Sequence, residues 1–278
     1  MKKYLNEIKL VWKNDWKTIL FRFGVYIFGV YIFGLGIALY LNTQVGLSQI
    51  DITVYAYIVI SHNITTGVVT PEQITDYYSL YLIVLYVGLF IVGSIMKIYT
   101  TIRNYLKFKD TQIIYKNVTM ILLDIIPIFL WPLFVSLSSM YVPIDAIGQM
   151  SAFARTWIFM GAFLLYCLGI ALVVYSNLLL GPYNSLSANF CEITKINYKV
   201  SRVLFDCLIA SVGIISLLIN NPPGLNIFWD NYFVFGTIFM MFISGPIIGL
   251  MLKYLNQAEK IFKNKNIKHY KTQLKINN

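Results

Sequence analysis

Six long apolar runs decide what this chain can become, because about 20 consecutive hydrophobic residues make a helix that crosses a hydrocarbon core of about 30 Å. They lie near positions 18–41, 79–98, 118–137, 156–175, 203–219 and 232–253. The overall balance agrees: 58% hydrophobic residues, 12% charged ones and a mean hydropathy of +0.67 exclude an ordinary soluble domain. Two further apolar stretches, 45–60 and 178–193, fall short of a full crossing and carry Gly, Ser, Asn, Asp or Pro near their starts.

The two short stretches are copies of one another. The pentapeptide LGIAL occurs at Leu35 to Leu39 and again at Leu168 to Leu172, each time following an arginine, Arg22 or Arg155, at the same distance. Downstream the copies stay in step through a polar break, with Gln44 over Asn177, Ser48 over Gly181 and Asp51 over Asn184. A duplicated apolar unit interrupted by a polar, Gly/Pro-containing segment is how many transporter folds are written in sequence.

Lys and Arg mark cytoplasmic loops, so their distribution decides whether the short stretches cross or dip. If both dip and return, the chain crosses six times, both termini are cytoplasmic, and of the 22 Lys and Arg residues only Arg155 is left outside. The outer loops 61–78 and 220–231 then hold no basic residue but contain Glu72, Asp76 and Asp230. Eight crossings would strand Lys97, Arg103, Lys107, Lys109 and Lys116 of the middle loop on the outside. Three crossings per copy make the second copy enter from the opposite face. The expected fold is therefore all-α and polytopic, with six transmembrane helices plus two short broken or re-entrant segments in two inverted repeats. Its parts are a basic amphipathic interfacial helix over 1–17, a first membrane unit over 18–137, an outer connecting loop over 138–155, a second unit over 156–253 and a basic cytoplasmic tail over 254–278.

Several of these residues carry a family resemblance. Arg22 leading into FGLGIAL, the Gly-containing break before Asp51, Leu180-Gly181-Pro182-Tyr183-Asn184, Val200-Ser201-Arg202 with Asp206, and Gly236-Thr237 ahead of Ser244-Gly245-Pro246 resemble the signatures of the YczE/YyaS/YitT-type bacterial integral membrane proteins. Gln49-Ile50 stands where that pattern has Pro-Trp, and Asn184 where it has Asp. The resemblance implies a multi-pass protein of the bacterial plasma membrane and supplies almost no chemistry.

Ionisable residues inside apolar segments are costly and face a partner or a cavity, which makes them site candidates. Asp51 lies near Gln44, Ser48 and Gln49; its repeat mate Asn184 is polar but cannot titrate. One carboxylate in a two-fold site suits a single cation or proton, and capping of the short helices explains Asp and Asn equally well. Asp124 precedes Pro127 and Pro132, which free backbone carbonyls. Gln44, Ser48, Asp51, Asn177, Asn184 and Asp124 are the expected substrate-binding residues. Arg202 and Asp206, four apart on one helix face, are expected to form a structural pair, and Arg22 and Arg155 to anchor at headgroups.

No enzymatic reading finds support. The two histidines, His62 and His269, cannot build a metal cluster with Cys167, Cys191 and Cys207, whose spacing suggests packing rather than zinc or disulfides, and there is no phosphate-binding loop. We expect no catalytic residue, metal or cofactor. The net charge of +10 is accounted for by topology and by attraction to an anionic inner leaflet, not by nucleic acid. The expected function is a small-solute or ion transporter or facilitator with a central site between the two broken segments. The alternative is a non-transporting membrane factor that binds or assists another protein or a lipid. A homo-oligomer fits either.

Overall fold

In a computed structural model of the chain, residues 2–64, 77–222, 225–226, 229 and 235–276 are described, with the backbone alone over 2–14, 144–145, 198–199, 235 and 259–276. The outer-loop acids Glu72, Asp76 and Asp230 lie outside the described residues, as do the side chains of the expected amphipathic helix up to residue 14 and of the tail beyond Ala258. Regular structure among the described residues is helical throughout: α1 (Lys2–Leu41), α2 (Gln49–Ser61), α3 (Ser79–Phe108), α4 (Thr111–Leu123), α5 (Ile125–Ser139), α6 (Ile144–Gly148), α7 (Ala152–Ser176), α8 (Pro182–Thr194), α9 (Tyr198–Asn220) and α10 (Phe235–Ile276).

Six segments are long and apolar enough to span a bilayer: Asp15–Leu41, Ser79–Phe108, Thr111–Ser139, Ala152–Ser176, Val200–Asn220 and Gly236–Ala258. The shortest, 21 residues, reaches about 32 Å at about 1.5 Å per residue. On α3 the side chains of Val84, Val87, Ile91, Ile95, Ile98 and Ile102 are exposed at helical spacing. Such a stripe would drive aggregation in water and is at home against lipid acyl chains. The protein is a multi-pass membrane-type helical bundle.

The sequence placed three boundaries wrongly or missed them. The middle loop expected from Lys97 to Lys116 is helical apart from Lys109 and Asp110: α3 runs on to Phe108, Lys109 closes it in a left-handed conformation, and the Asp110 carboxylate accepts the Gln112 amide at 2.9 Å to start α4. The third crossing is two helices, interrupted at Asp124, because Pro127 lacks the amide that would bond Leu123 and its ring crowds that carbonyl. The short helix α6 sits in the segment between α5 and α7, where none was expected. At the other end, α1 is helical from Lys2 but breaks at Asp15 (φ −120°, ψ 16°), where the first span begins.

The centre of the bundle is the crossing of α1 and α7, made close by small residues that let backbones touch. Gly29 meets Gly169 and Val173, Gly36 meets Ala162 and Tyr166, Gly169 meets the backbone of Phe33, and Tyr40 packs on Phe159. Later residues of α1 meet earlier residues of α7, so the two helices run antiparallel. The contacts are also reciprocal between repeat mates. Gly36 faces Tyr166 as Gly169 faces Phe33, and the mates Phe33 and Tyr166 pack on each other with ring centroids 5.4 Å apart.

The short helices α2 and α8 have 13 residues each and start and stop at matching positions, Gln49 with Pro182 and Ser61 with Thr194. At about 20 Å each is too short to cross the hydrocarbon core as a straight helix. Each packs chiefly on a long helix of the other copy, α2 on α9 and α8 on α3. Thr53 of α2 lies on Gly213 and donates to the Ile209 carbonyl at 2.6 Å; Leu186 of α8 lies on Gly93, whose carbonyl accepts from Asn189 at 3.0 Å.

Candidate functional site

The first break is built from its own polar side chains. As α1 ends, the Asn42 and Thr43 side chains turn back to the carbonyls of Ala38 and Tyr40, both at 2.7 Å, and the Thr43 amide reaches the same Tyr40 carbonyl at 3.1 Å. Gln44 then takes a left-handed conformation (φ 53°), and Gly46 passes so close to α10 that an added Cβ would stand 2.5 Å from Gly236. The Leu47 amide donates to Thr237 Oγ1 at 2.9 Å, and Ser48 caps α2. Ser48 and Asp51 form a reciprocal capping box, the Asp51 amide donating to Ser48 Oγ at 3.4 Å and the Ser48 amide to Asp51 Oδ2 at 3.2 Å.

Asp51 is more than a cap. Its carboxylate is 1% exposed, and besides the Ser48 amide it accepts the hydroxyl of Tyr40 on Oδ2 and that of Tyr78 on Oδ1. Both tyrosines are buried as well. Three donors meet this carboxyl group and, among the described residues, no cation is in hydrogen-bond contact with it, an expensive arrangement in a low-dielectric interior.

The second break answers it with opposite charge. Asn177 ends α7 in a left-handed conformation, Gly181 (φ 77°) leaves room for the Trp131 ring, 2.7 Å from where a Cβ would be, and Pro182 opens α8. Asn184, the mate of Asp51, donates to the Leu180 carbonyl at 2.9 Å and accepts from Arg202 Nη1 at 2.6 Å. The guanidinium lies 4.9 Å from the centre of the Tyr183 ring, whose hydroxyl donates to Asp206 and to the Arg202 carbonyl. Tyr183 thus joins Arg202 to Asp206, both of them buried.

Between the two centres stand Tyr86 and Tyr166, both buried and each within electrostatic reach of Asp51 and Arg202. The middle of the protein is filled by aromatic side chains in this conformation.

Of the six residues the sequence proposed for binding, Ser48 and Asp51 are brought together and Asn184 stands at the matching position of the other half. Gln44 instead accepts from Arg155 Nη1 at 3.2 Å, an arginine that also reaches the Thr43 carbonyl and so ties the break to α7. Asn177 is exposed at the end of α7; the shared property of the mates Gln44 and Asn177 is the left-handed turn, a conformation polar residues such as Asn tolerate best. Asp124 lies apart, half-buried, accepting from Ser185 Oγ at 2.6 Å.

Asp124 lines a cavity of about 150 Å³ between α3, α4 and α8, together with Phe90, Ser94, Lys97, Leu179, Ser185, Asn189 and Glu192. Lys97 and Glu192 pair at 3.2 Å there, and the same two residues line a neighbouring hollow of about 300 Å³ with Asn104, Lys116 and Asn117. The tyrosines that hold the carboxylates were not singled out from the sequence, since a tyrosine in an apolar run reads alike at a lipid boundary and in a core. Among the described residues no group of three or more His, Cys, Asp or Glu is placed to hold a metal.

Neither curated proteins nor solved structures provide a match for the chain. Residues 20–253, from just before Arg22 through Lys253, match the family of unknown function DUF6198, a stretch that contains both breaks, both polar centres and the Asp124 cavity, and the chain belongs to that family.

Proposed function

We propose that the protein moves a small solute or ion across the bacterial plasma membrane, with α2 and α8 as re-entrant segments of two inverted repeats and both termini cytoplasmic. The antiparallel α1 and α7, the reciprocal contacts of repeat mates and the exchange of short helices between copies support inversion, because a two-fold axis lying across α1 and α7 generates all three. The motif likeness to YczE/YyaS/YitT-type proteins supports the same fold. One observation carries the functional reading: repeat-matched positions 51 and 184, each in the first turn of a short helix, hold a buried carboxylate in one half and the partner of a buried guanidinium in the other. Charges buried at membrane depth mark solute or ion pathways.

The aromatic filling around Tyr86 and Tyr166 favours the second reading, a non-transporting membrane factor that binds or assists a protein or lipid. Transport requires the halves to part there. Metabolite and ion comparison of cells with and without the protein identifies the solute, and flux is then measured in liposomes. Asp51→Asn leaves Ser48 Oγ to accept the residue-51 amide, and is expected to abolish uptake while the melting temperature is kept. Unchanged flux would remove Asp51 from the mechanism, and no flux of any solute by the wild type would favour the second reading.

Inversion has its own test. With native cysteines removed, Tyr141→Cys is expected to react with a membrane-impermeant thiol reagent added to intact cells, and Lys107→Cys only after permeabilisation; both side chains are exposed. Labelling of both from one side would end the six-span, inverted scheme.

A further inference from the structure

We propose that the cavity between α3, α4 and α8 binds a small organic ammonium ion, with the Asp124 carboxylate as its counter-charge. The site is separate from the Asp51 centre and does not rest on the transport reading.

The charge balance of the cavity selects a cation. Lys97 pairs with Glu192 at 3.2 Å, which leaves Asp124 as the excess negative charge of the lining: Lys97 acts on it electrostatically, but among the described residues no cation is in ion-pair contact with it. Ser185 Oγ donates to Asp124 Oδ2 at 2.6 Å, and Oδ1 has no hydrogen bond among them. Next to it, Leu123, whose carbonyl loses its helical donor to Pro127, lines the same cavity. An anion placed here would meet a carboxylate and an already paired lysine.

The rest of the lining selects an organic cation over a bare metal ion. Phe90, Met120, Ile121, Leu178, Leu179 and Ala188 make most of the wall apolar, which cannot replace the hydration shell of a small inorganic ion. An alkylammonium brings its own apolar surface, and the Phe90 ring adds a π face of the kind such ions prefer. At about 30 Å³ per water the cavity has room for about five waters, which suits an ion between methylammonium and tetramethylammonium.

Two sources share this chemistry: a free amine or quaternary ammonium solute, and the headgroup of an ethanolamine phospholipid. The test uses full-length protein in phosphatidylglycerol nanodiscs, titrated with tetramethylammonium chloride by calorimetry against sodium chloride. Saturable heat is expected, weakened at least tenfold by Asp124→Asn and within a few-fold of wild type in Asp124→Glu. Ala188→Leu, which fills the cavity and leaves every charge in place, is expected to remove binding, so the proposal stays testable if Asp124→Asn fails to fold. No saturable binding by the wild type, equal binding by Asp124→Asn, or equal binding of uncharged tert-butanol, which has nearly the size of tetramethylammonium, would overturn it. Ethanolamine phospholipid added to the discs weakens the apparent affinity if the headgroup is the natural occupant and leaves it unchanged if a free solute is.

Discussion

Gly169→Leu is expected to abolish the cooperative melting transition of the detergent-solubilised protein, whereas Gly161→Leu, eight residues earlier on the same helix, keeps it. A Cβ at Gly169 would press into the Phe33 backbone, and backbone cannot rotate aside as a side-chain tip can. The leucine must therefore force α1 and α7 apart along a seam that includes Gly29, Gly36, Ala162 and Tyr166. Overpacking of a dense core costs about 1–3 kcal/mol where side chains can yield, and more is expected where they cannot. Gly161 has nothing within 4 Å of its added Cβ, so leucine there changes stability by less than about 1 kcal/mol, with helix propensity on its side. Melting followed by circular dichroism or by cysteine reactivity separates the two. A Gly169→Leu protein that melts like wild type would mean that the crossing is looser than its contacts state.

Arg202→Met is expected to cost about 3–5 kcal/mol, the usual penalty for stranding a buried charge by removing its partner. The guanidinium acts electrostatically on Asp206, which also accepts the Tyr183 hydroxyl. The same substitution takes the donor from Asn184 Oδ1 and the cation from the face of Tyr183. The double variant Arg202→Met with Asp206→Leu removes the stranded acid along with the arginine, and is expected to recover at least half of the loss. A double-mutant cycle from thermal or denaturant unfolding reads this directly. Additive losses would show that Arg202 and Asp206 do not act as a pair and that Arg202 serves Asn184 alone.

Length and apolarity were enough to place six crossings and two shorter pieces, because both properties are local and the bilayer sets a fixed ruler. Helix ends were less legible. The stretch Tyr99 to Phe108 carries charge and so reads as loop, yet it continues α3 until Lys109 and Asp110 supply the stop and the next cap. The repeat alignment brought out position 51 with 184 because duplication is visible without a partner. It also promoted Gln44 and Asn177, whose match reflects a shared turn rather than a shared ligand. Which helix shelters which was hidden. Helix α2 is buried nearly all round, so no periodic face announces its neighbours, and Tyr40, Tyr78 and Tyr183 became recognisable only when distant segments met the carboxylates.

The exchange of short helices sets a timing problem for biogenesis. When α2 leaves the ribosome its cover, α9, has not been made, and at about 5–20 residues per second the wait is on the order of 10–30 s. Until then Thr53 has no Ile209 carbonyl to bond and the Asp51 end of the helix has no settled surroundings beyond its own half. A chain truncated before Tyr198 keeps α2 without its cover, and is expected to be degraded rather than to accumulate.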